Sequence, residues 1–329
     1  MLRLSFLLVA ALAPLGLGVA QQTVAPSPRP ESILPNGTLL FAGTDDFDTL
    51  VKRTKGSPLG KILAEQEVKD FLAKPIAEMR KAIDQGVAMA KQQPQLASLD
   101  LDVDKILAGA YGRAFLAITH FDFELKDGAL DPNAIDVGLV IGLEPRAGAV
   151  DILGTIKQVV TQLLASAGPE APKFETIDAG GVSYDRVKNP HDADALCFAT
   201  LGGMTVMSLS EKSITAIAGS SKSASLALAA DPDFARCVGA VGAPASGDLV
   251  LFAQLGRLAD KAGHLALAAM SKDGDKETAA IFAKMLDLSK ITSVGPSYVT
   301  AQWRDGTSVN LAYSEIGRAS CRERVLWYV

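Results

Sequence analysis

Three residues in one stretch, His120, Asp122 and Glu124, belong to types that ligate metals. Side chains alternate along an extended chain, so this spacing puts all three on one face, about 6 to 7 Å apart. With help from Asp136 on the next extended run, such a row could hold zinc or manganese and make the chain a metal-dependent hydrolase. A solvated strand face carries the same mix of residues, and we take that as the first reading and the metal site as its alternative. His191, Asp192 and Asp194 are also ligand types. They follow Asn189-Pro190 in a turn, where Asn and Asp are selected for backbone reasons. His264 sits within an alanine- and leucine-rich helical run four residues after Asp260 and reads as a helix-surface residue.

Nucleophile signatures are missing. The chain has no G-x-S-x-G elbow, no S-x-x-K and no H-E-x-x-H. Gly56-Ser-Pro-Leu-Gly-Lys61 imitates a phosphate loop but fails on spacing, and Pro58 removes an amide that would cradle phosphate. A capped helix start explains it, with Ser57 as cap and Pro58 in the first turn. Of the three cysteines, Cys321 lies in the C-terminal tail; Cys197 and Cys237 belong to no C-x-x-C pair, so redox and zinc-knuckle chemistry have no footing, and these two do not make a disulfide framework. No catalytic residue and no cofactor is assigned.

The two ends of the chain frame these residues. Arg3 precedes an apolar run, Leu4 to Leu17, closed by Gly18-Val19-Ala20, which reads as a cleavable export signal over residues 1–20. The run is short for a membrane span, and a Pro/Ser-rich linker, 21–36, follows it. At the other end Glu315 to Val325 match, residue for residue, a common sequencing-library adapter translated in frame, so 315–329 is expected to be non-native. The whole chain carries a net charge of −5; without leader and tail, 28 basic and 35 acidic residues leave −7. That surface offers no attraction to nucleic acid or to anionic lipid. With 48% hydrophobic residues the chain can bury a substantial core.

The elements follow from periodicity. Gly37 to Gly43 reads as a buried strand, and apolar stripes at helical spacing run from Leu59 to Leu72 and from Ile76 to Val87. The period then falls to two over Phe115–Phe123 and Ile135–Leu143, a hairpin with a long connection. A helix is expected from about Val150 to Ala165, with strands at 174–177, 182–187, 196–201 and 204–209. Helices at 212–219, 223–230 and 233–240 follow, the last started by Pro232. Gly247 restarts the pattern: a strand containing Leu-Phe-Ala at 251–253, as at 40–42, then helices, then a hairpin over 297–303 and 308–313. The expected fold is α+β, antiparallel sheets flanked by helices, in two related strand-helix-hairpin units. The first spans 37–243; the second, 244–314, is incomplete.

The motifs Leu34-Pro35 with Thr38 to Gly43, Ser57 to Gly60, Asp231 to Phe234 and Gly247 to Leu249 resemble a family of exported bacterial proteins catalogued as a domain of unknown function. The resemblance covers most of 34–263. It implies an envelope protein of alternating α and β elements and transfers no site residues. The functional expectation is a non-catalytic exported protein of the periplasm or extracellular space. It would act as a binding or structural module for an envelope partner or ligand, with no nucleic acid partner and no stable membrane span in 21–314.

Overall fold

The computed structural model describes residues 27–56, 61, 65–67, 111–123, 125–126, 129–130, 135–146, 151–166, 171–179, 181–188, 195–242, 248–272, 281–284, 293–304, 307–314 and 325–328. The expected leader, the helical stripes over 59–87, Glu124 and the His191 turn lie outside the described residues, apart from single positions in the first stripe.

In chain order the elements are α1 (Pro30–Ile33), β1 (Leu40–Thr44), α2 (Phe47–Gly56), β2 (Tyr111–Asp122), β3 (Leu125–Lys126), β4 (Ala129–Leu130) and β5 (Asp136–Pro145). Then follow α3 (Ile152–Ser166), β6 (Glu175–Ala179), β7 (Val182–Lys188), β8 (Ala195–Leu201), β9 (Met204–Ser208), α4 (Glu211–Ser220) and α5 (Pro232–Val241). The chain continues through β10 (Leu249–Ala253), α6 (Leu255–Lys272), β11 (Ser297–Arg304), β12 (Thr307–Ser314) and β13 (Val325–Tyr328). Except for the small β3–β4 pair, all strands join one sheet in the order β13-β12-β11-β10-β1-β2-β5-β9-β8-β7-β6. Every pairing is antiparallel. Ten of the eleven strands precede residue 315, and β13 lies after it. The α+β class is as the periodicity indicates, and the two expected units share a single sheet. Among the described residues no helix is long and apolar enough to cross a membrane.

The join is the pair β1–β10. Phe41 faces Phe252, Leu40 faces Ala253 and Ala42 faces Leu251, so the two Leu-Phe-Ala tripeptides meet about a local two-fold. One face of the sheet carries α1, α4 and α5 over a core that includes Phe41, Phe115, Val140, Ile214, Phe234 and Phe252. The other carries α3, whose Leu153, Ile156 and Val160 pack on Phe198 and Met207. Helix α3 buries its apolar stripe at the four-residue spacing read from the sequence. Phe234 anchors α5 edge-on against Phe252, with centroids 5.2 Å apart, and against Tyr298 at 5.8 Å.

Asp231 shows how the helix layer is fixed to the strands. Its Oδ1 accepts from the N–H groups of Asp233 and Phe234 and starts α5, while Oδ2 accepts from Gly37 N–H at 3.0 Å. One buried carboxylate thus caps a helix and holds the loop that enters β1, and three donors offset its desolvation. The expected helix at 223–230 is replaced by two short 3₁₀ turns, 224–226 and 228–230. Between them Ala227 is extended and bridges Pro35, with Asn36 N–H donating to Leu226 O and Leu228 N–H to Leu34 O, both at 2.7 Å. Long-range backbone pairing there outcompetes the local helix preference.

Truncating Phe252 removes the facing partner of Phe41 and the ring under Phe234 together. Phe252→Ala is expected to lower unfolding stability by about 3–5 kcal/mol, read as a fall in the urea midpoint.

Candidate functional site

Along the β2–β5 pair Ile118 faces Leu139, but the next matched residues are Phe121 and Val137. Thr119 and His120 therefore stand opposite Gly138 alone, a β-bulge that turns both side chains toward α4. Their atoms Thr119 Oγ1 and His120 Nδ1 lie 3.1 Å apart, and each reaches Ser213 Oγ, at 2.7 and 3.4 Å. Gly138 makes the room. A Cβ there would stand 2.3 Å from Thr119 Oγ1, 2.4 Å from His120 Nδ1 and 2.5 Å from Ser213 Oγ.

The hydrogen bonds fix the ring's proton. His120 Nε2 lies 3.0 Å from Asp136 Oδ2, and a carboxylate can only accept, so the N–H is on Nε2. In the neutral ring Nδ1 is then free to accept from a hydroxyl, Thr119 or Ser213. The single Thr119 proton has an alternative acceptor in Gly138 O at 3.2 Å, and when it goes there Ser213 is the donor left for Nδ1; Ser210 Oγ, at the start of α4, lies 3.4 Å from Nε2. The second Asp136 oxygen is buried without a hydrogen-bond partner. An Asp-His-Ser chain of this kind has the members of a hydrolytic triad. It lacks an accessible nucleophile, because Ser213 is 0% exposed, Ser210 2% and Thr119 7%.

Asp122 is engaged elsewhere. Lys212 of α4 reaches it at 2.5 Å and Lys261 of α6 at 3.2 Å. The Lys212 hydrogen bond, with Lys261 adding to it, holds this carboxyl below the usual aspartate value of 3.8 although burial works the other way. Asp122 is therefore a tie between β2 and two helices. Of the four residues grouped on sequence, His120 and Asp136 are in contact, Asp122 faces lysines, and Glu124 lies outside the described residues. Among the described residues no cluster of three or more His, Cys, Asp or Glu could hold a metal. His264 is exposed with Asp260 Oδ1 3.8 Å away, as its helical spacing indicates. Cys197 and Cys237 are both free and buried, and burial, with Glu211 adding to it, pushes the Cys197 thiol up to about 12.

Sequence reasoning did not find Thr119, Ser210 and Ser213, because hydroxyls distant in sequence carry no spacing signal. It also overlooked Gly138, although a glycine inside an alternating strand is a bulge signal. A second feature it missed is a cleft of about 840 Å³ between α3 and strands β7 to β9. Lys157, Gln158 and Gln162 line its helical side, while Ser183, Asp185 and Thr200 line its strand side. Asp151 caps α3, taking Gly154 N–H on Oδ1 and the Thr205 hydroxyl on Oδ2. Lys157 Nζ lies 2.5 Å from Asp185 Oδ2.

No family model and no curated protein matches the chain, and the resemblance to the exported family rests on its short motifs. Among solved structures, crystal form III of TP0453 superposes with a TM-score of 0.31 at 9% identity, over 90% of this chain and 82% of that one. Crystal form I of TP0453 gives 0.32 at 10% identity over the same shares. Superpositions this loose carry no argument about activity.

A methyl group at position 138 is expected to break the bulge cluster. Gly138→Ala should cost about 1–3 kcal/mol by overpacking, measured by thermal denaturation. The same substitution should cost less in a Ser213→Ala background, which removes one of the three clashing atoms. Asp122, with its folded-state pKa below the unfolded one, contributes stability above the ordinary aspartate range that is lost as pH falls through the depressed value. Asp122→Asn should therefore flatten the acid limb of a Tm-against-pH curve below about pH 4.

Proposed function

We propose that this chain is a non-catalytic exported protein of the bacterial envelope that serves as a binding or structural module. One observation carries the reading: the hydroxyls that could act as nucleophiles around His120, those of Ser213, Ser210 and Thr119, are buried and bonded into one cluster with it. The Ser213 hydroxyl is fully buried beneath α4, and a substrate carbonyl has no approach to it. The thiols support the same view, since a Cys197 raised to about 12 holds almost no thiolate at neutral pH. Export rests on the leader-like residues 1–20. The two-fold register of Leu40–Ala42 and Leu251–Ala253 supports the further reading that 37–243 and 244–314 are two copies of one strand-helix-hairpin unit.

The competing reading is a periplasmic metal-dependent hydrolase on the His120, Asp122 and Glu124 face. It would require Asp122 to leave both Lys212 and Lys261.

Elemental analysis of the purified protein separates the two. The expected result is no stoichiometric metal, and no difference between the wild type and a His120→Ala/Asp122→Ala double variant. Zinc or manganese at one per chain, lost in that variant, would replace the module with the hydrolase. For export, N-terminal sequencing of protein from a periplasmic extract should begin at Gln21. Recovery of a soluble cytosolic form beginning at Met1 would remove the envelope assignment.

A further inference from the structure

The cleft between α3 and strands β7 to β9 takes no part in the His120 cluster, and the chemistry of its wall is selective. It contains one cation, Lys157, and two anions, Asp151 and Asp185, so its field disfavours anionic ligands. Those charges are answered within the wall. Lys157 pairs with Asp185 Oδ2, Thr176 Oγ1 donates to Asp185 Oδ1 at 2.7 Å, and both Asp151 oxygens are taken by Gly154 and Thr205. The polar groups left over are neutral: the amides of Gln158 and Gln162 and the hydroxyls of Ser183 and Thr200.

Gln162 adds a second observation. Its Oε1 is buried and has no hydrogen-bond partner, a position that costs free energy until a donor arrives. Turning that amide toward the cleft would bring the oxygen to a ligand N–H or O–H. The cleft, at about 840 Å³, falls within the roughly 300–1,000 Å³ of small-molecule sites.

We propose that this cleft binds a short neutral saccharide carrying acetamido groups. Sugar hydroxyls both donate and accept, which suits a wall of amides and hydroxyls, and an acetamido N–H satisfies Gln162 Oε1. The acetamido carbonyl accepts from a remaining Lys157 N–H. The inference deepens the binding-module reading and rests on it.

The test is calorimetric titration of the full chain with N,N′-diacetylchitobiose, with glutarate as the anionic control. Saturable binding of the disaccharide is expected, with none of glutarate. The affinity should fall at least tenfold in Gln162→Leu and in Thr200→Arg, which places a long side chain at an exposed rim position. His120→Ala should bind as the wild type does. Thermal denaturation of each variant shows that it folds, and either variant alone suffices if the other does not. No saturable binding of the disaccharide, or tighter binding of glutarate, overturns the saccharide assignment. Disaccharide binding unaffected by both cleft variants overturns the site while leaving the module reading intact. Cleavage of the disaccharide, seen by NMR, removes the non-catalytic reading and leaves the cleft as the ligand site if the variants abolish it.

Discussion

The antiparallel contact between β1 and β10 is the constraint on which the rest of the molecule depends. These strands lie about two hundred residues apart in the chain, and their four matched residue pairs are the hydrogen-bonded seam between β2-β5-β9 on one side and β11-β12 on the other. Phe41 and Phe252, 2% and 1% exposed, face each other across that seam. Burying two such rings contributes about 1.5–3 kcal/mol each, and they also form the floor on which Phe234 seats α5. Asp231 then links that helix back to Gly37, just ahead of β1. Strand pairing, aromatic packing and helix capping are thus coupled at one place. Loss of any of the three loosens the others.

The polar cluster beneath α4 is a different kind of joint. Most of the inner surface is closed by apolar side chains, but at the β2 bulge a histidine, a threonine and two serines enter the space between strand and helix. Their hydrogen bonds have to be satisfied together, since each unpaired buried group would cost about 1–3 kcal/mol. They accordingly specify one seating of α4 on the sheet, where an apolar contact would accept several. Lys212, in the first turn of the same helix, extends the joint outward to Asp122. His120 and Asp122 therefore do share a face, as their spacing indicates, and both of them hold one helix end in place.

Local order was legible in the sequence wherever one face of an element is buried. The alternation around Phe115–Phe123 and Ile135–Leu143 yields β2 and β5, and the apolar stripe after Val150 yields α3, within about two residues at each end except that β2 begins four residues earlier, at Tyr111. Turn glycines located β7 to β9 for the same reason: Gly181, Gly202 and Gly203 adopt positive φ, which side chains resist. Sheet order was not legible beyond adjacent hairpins. Which strand lies beside β1 depends on contacts about two hundred residues away, and only the repeated Leu-Phe-Ala hinted at it. The segment 223–230 misled because its alanines favour a helix in isolation, whereas the backbone of 34–36 claims its hydrogen bonds. The site was half legible. Residue types pointed to His120 and Asp136, but their hydroxyl partners on α4 and the α3 cleft are products of tertiary assembly.

The central seam has a kinetic corollary. Leu40 pairs with Ala253, so one of the earliest strands of the chain waits for one of the latest before the middle of the sheet can close. Closing so long a loop is entropically costly, and topologies rich in distant pairings fold slowly. During that wait β1 has β2 on one flank and an open flank bearing unpaired amides and carbonyls, the arrangement that invites intermolecular strand exchange. A polypeptide built this way completes the middle of its sheet only after β10 has been made. Its susceptibility to misassembly is greatest just before the last third of the sequence emerges.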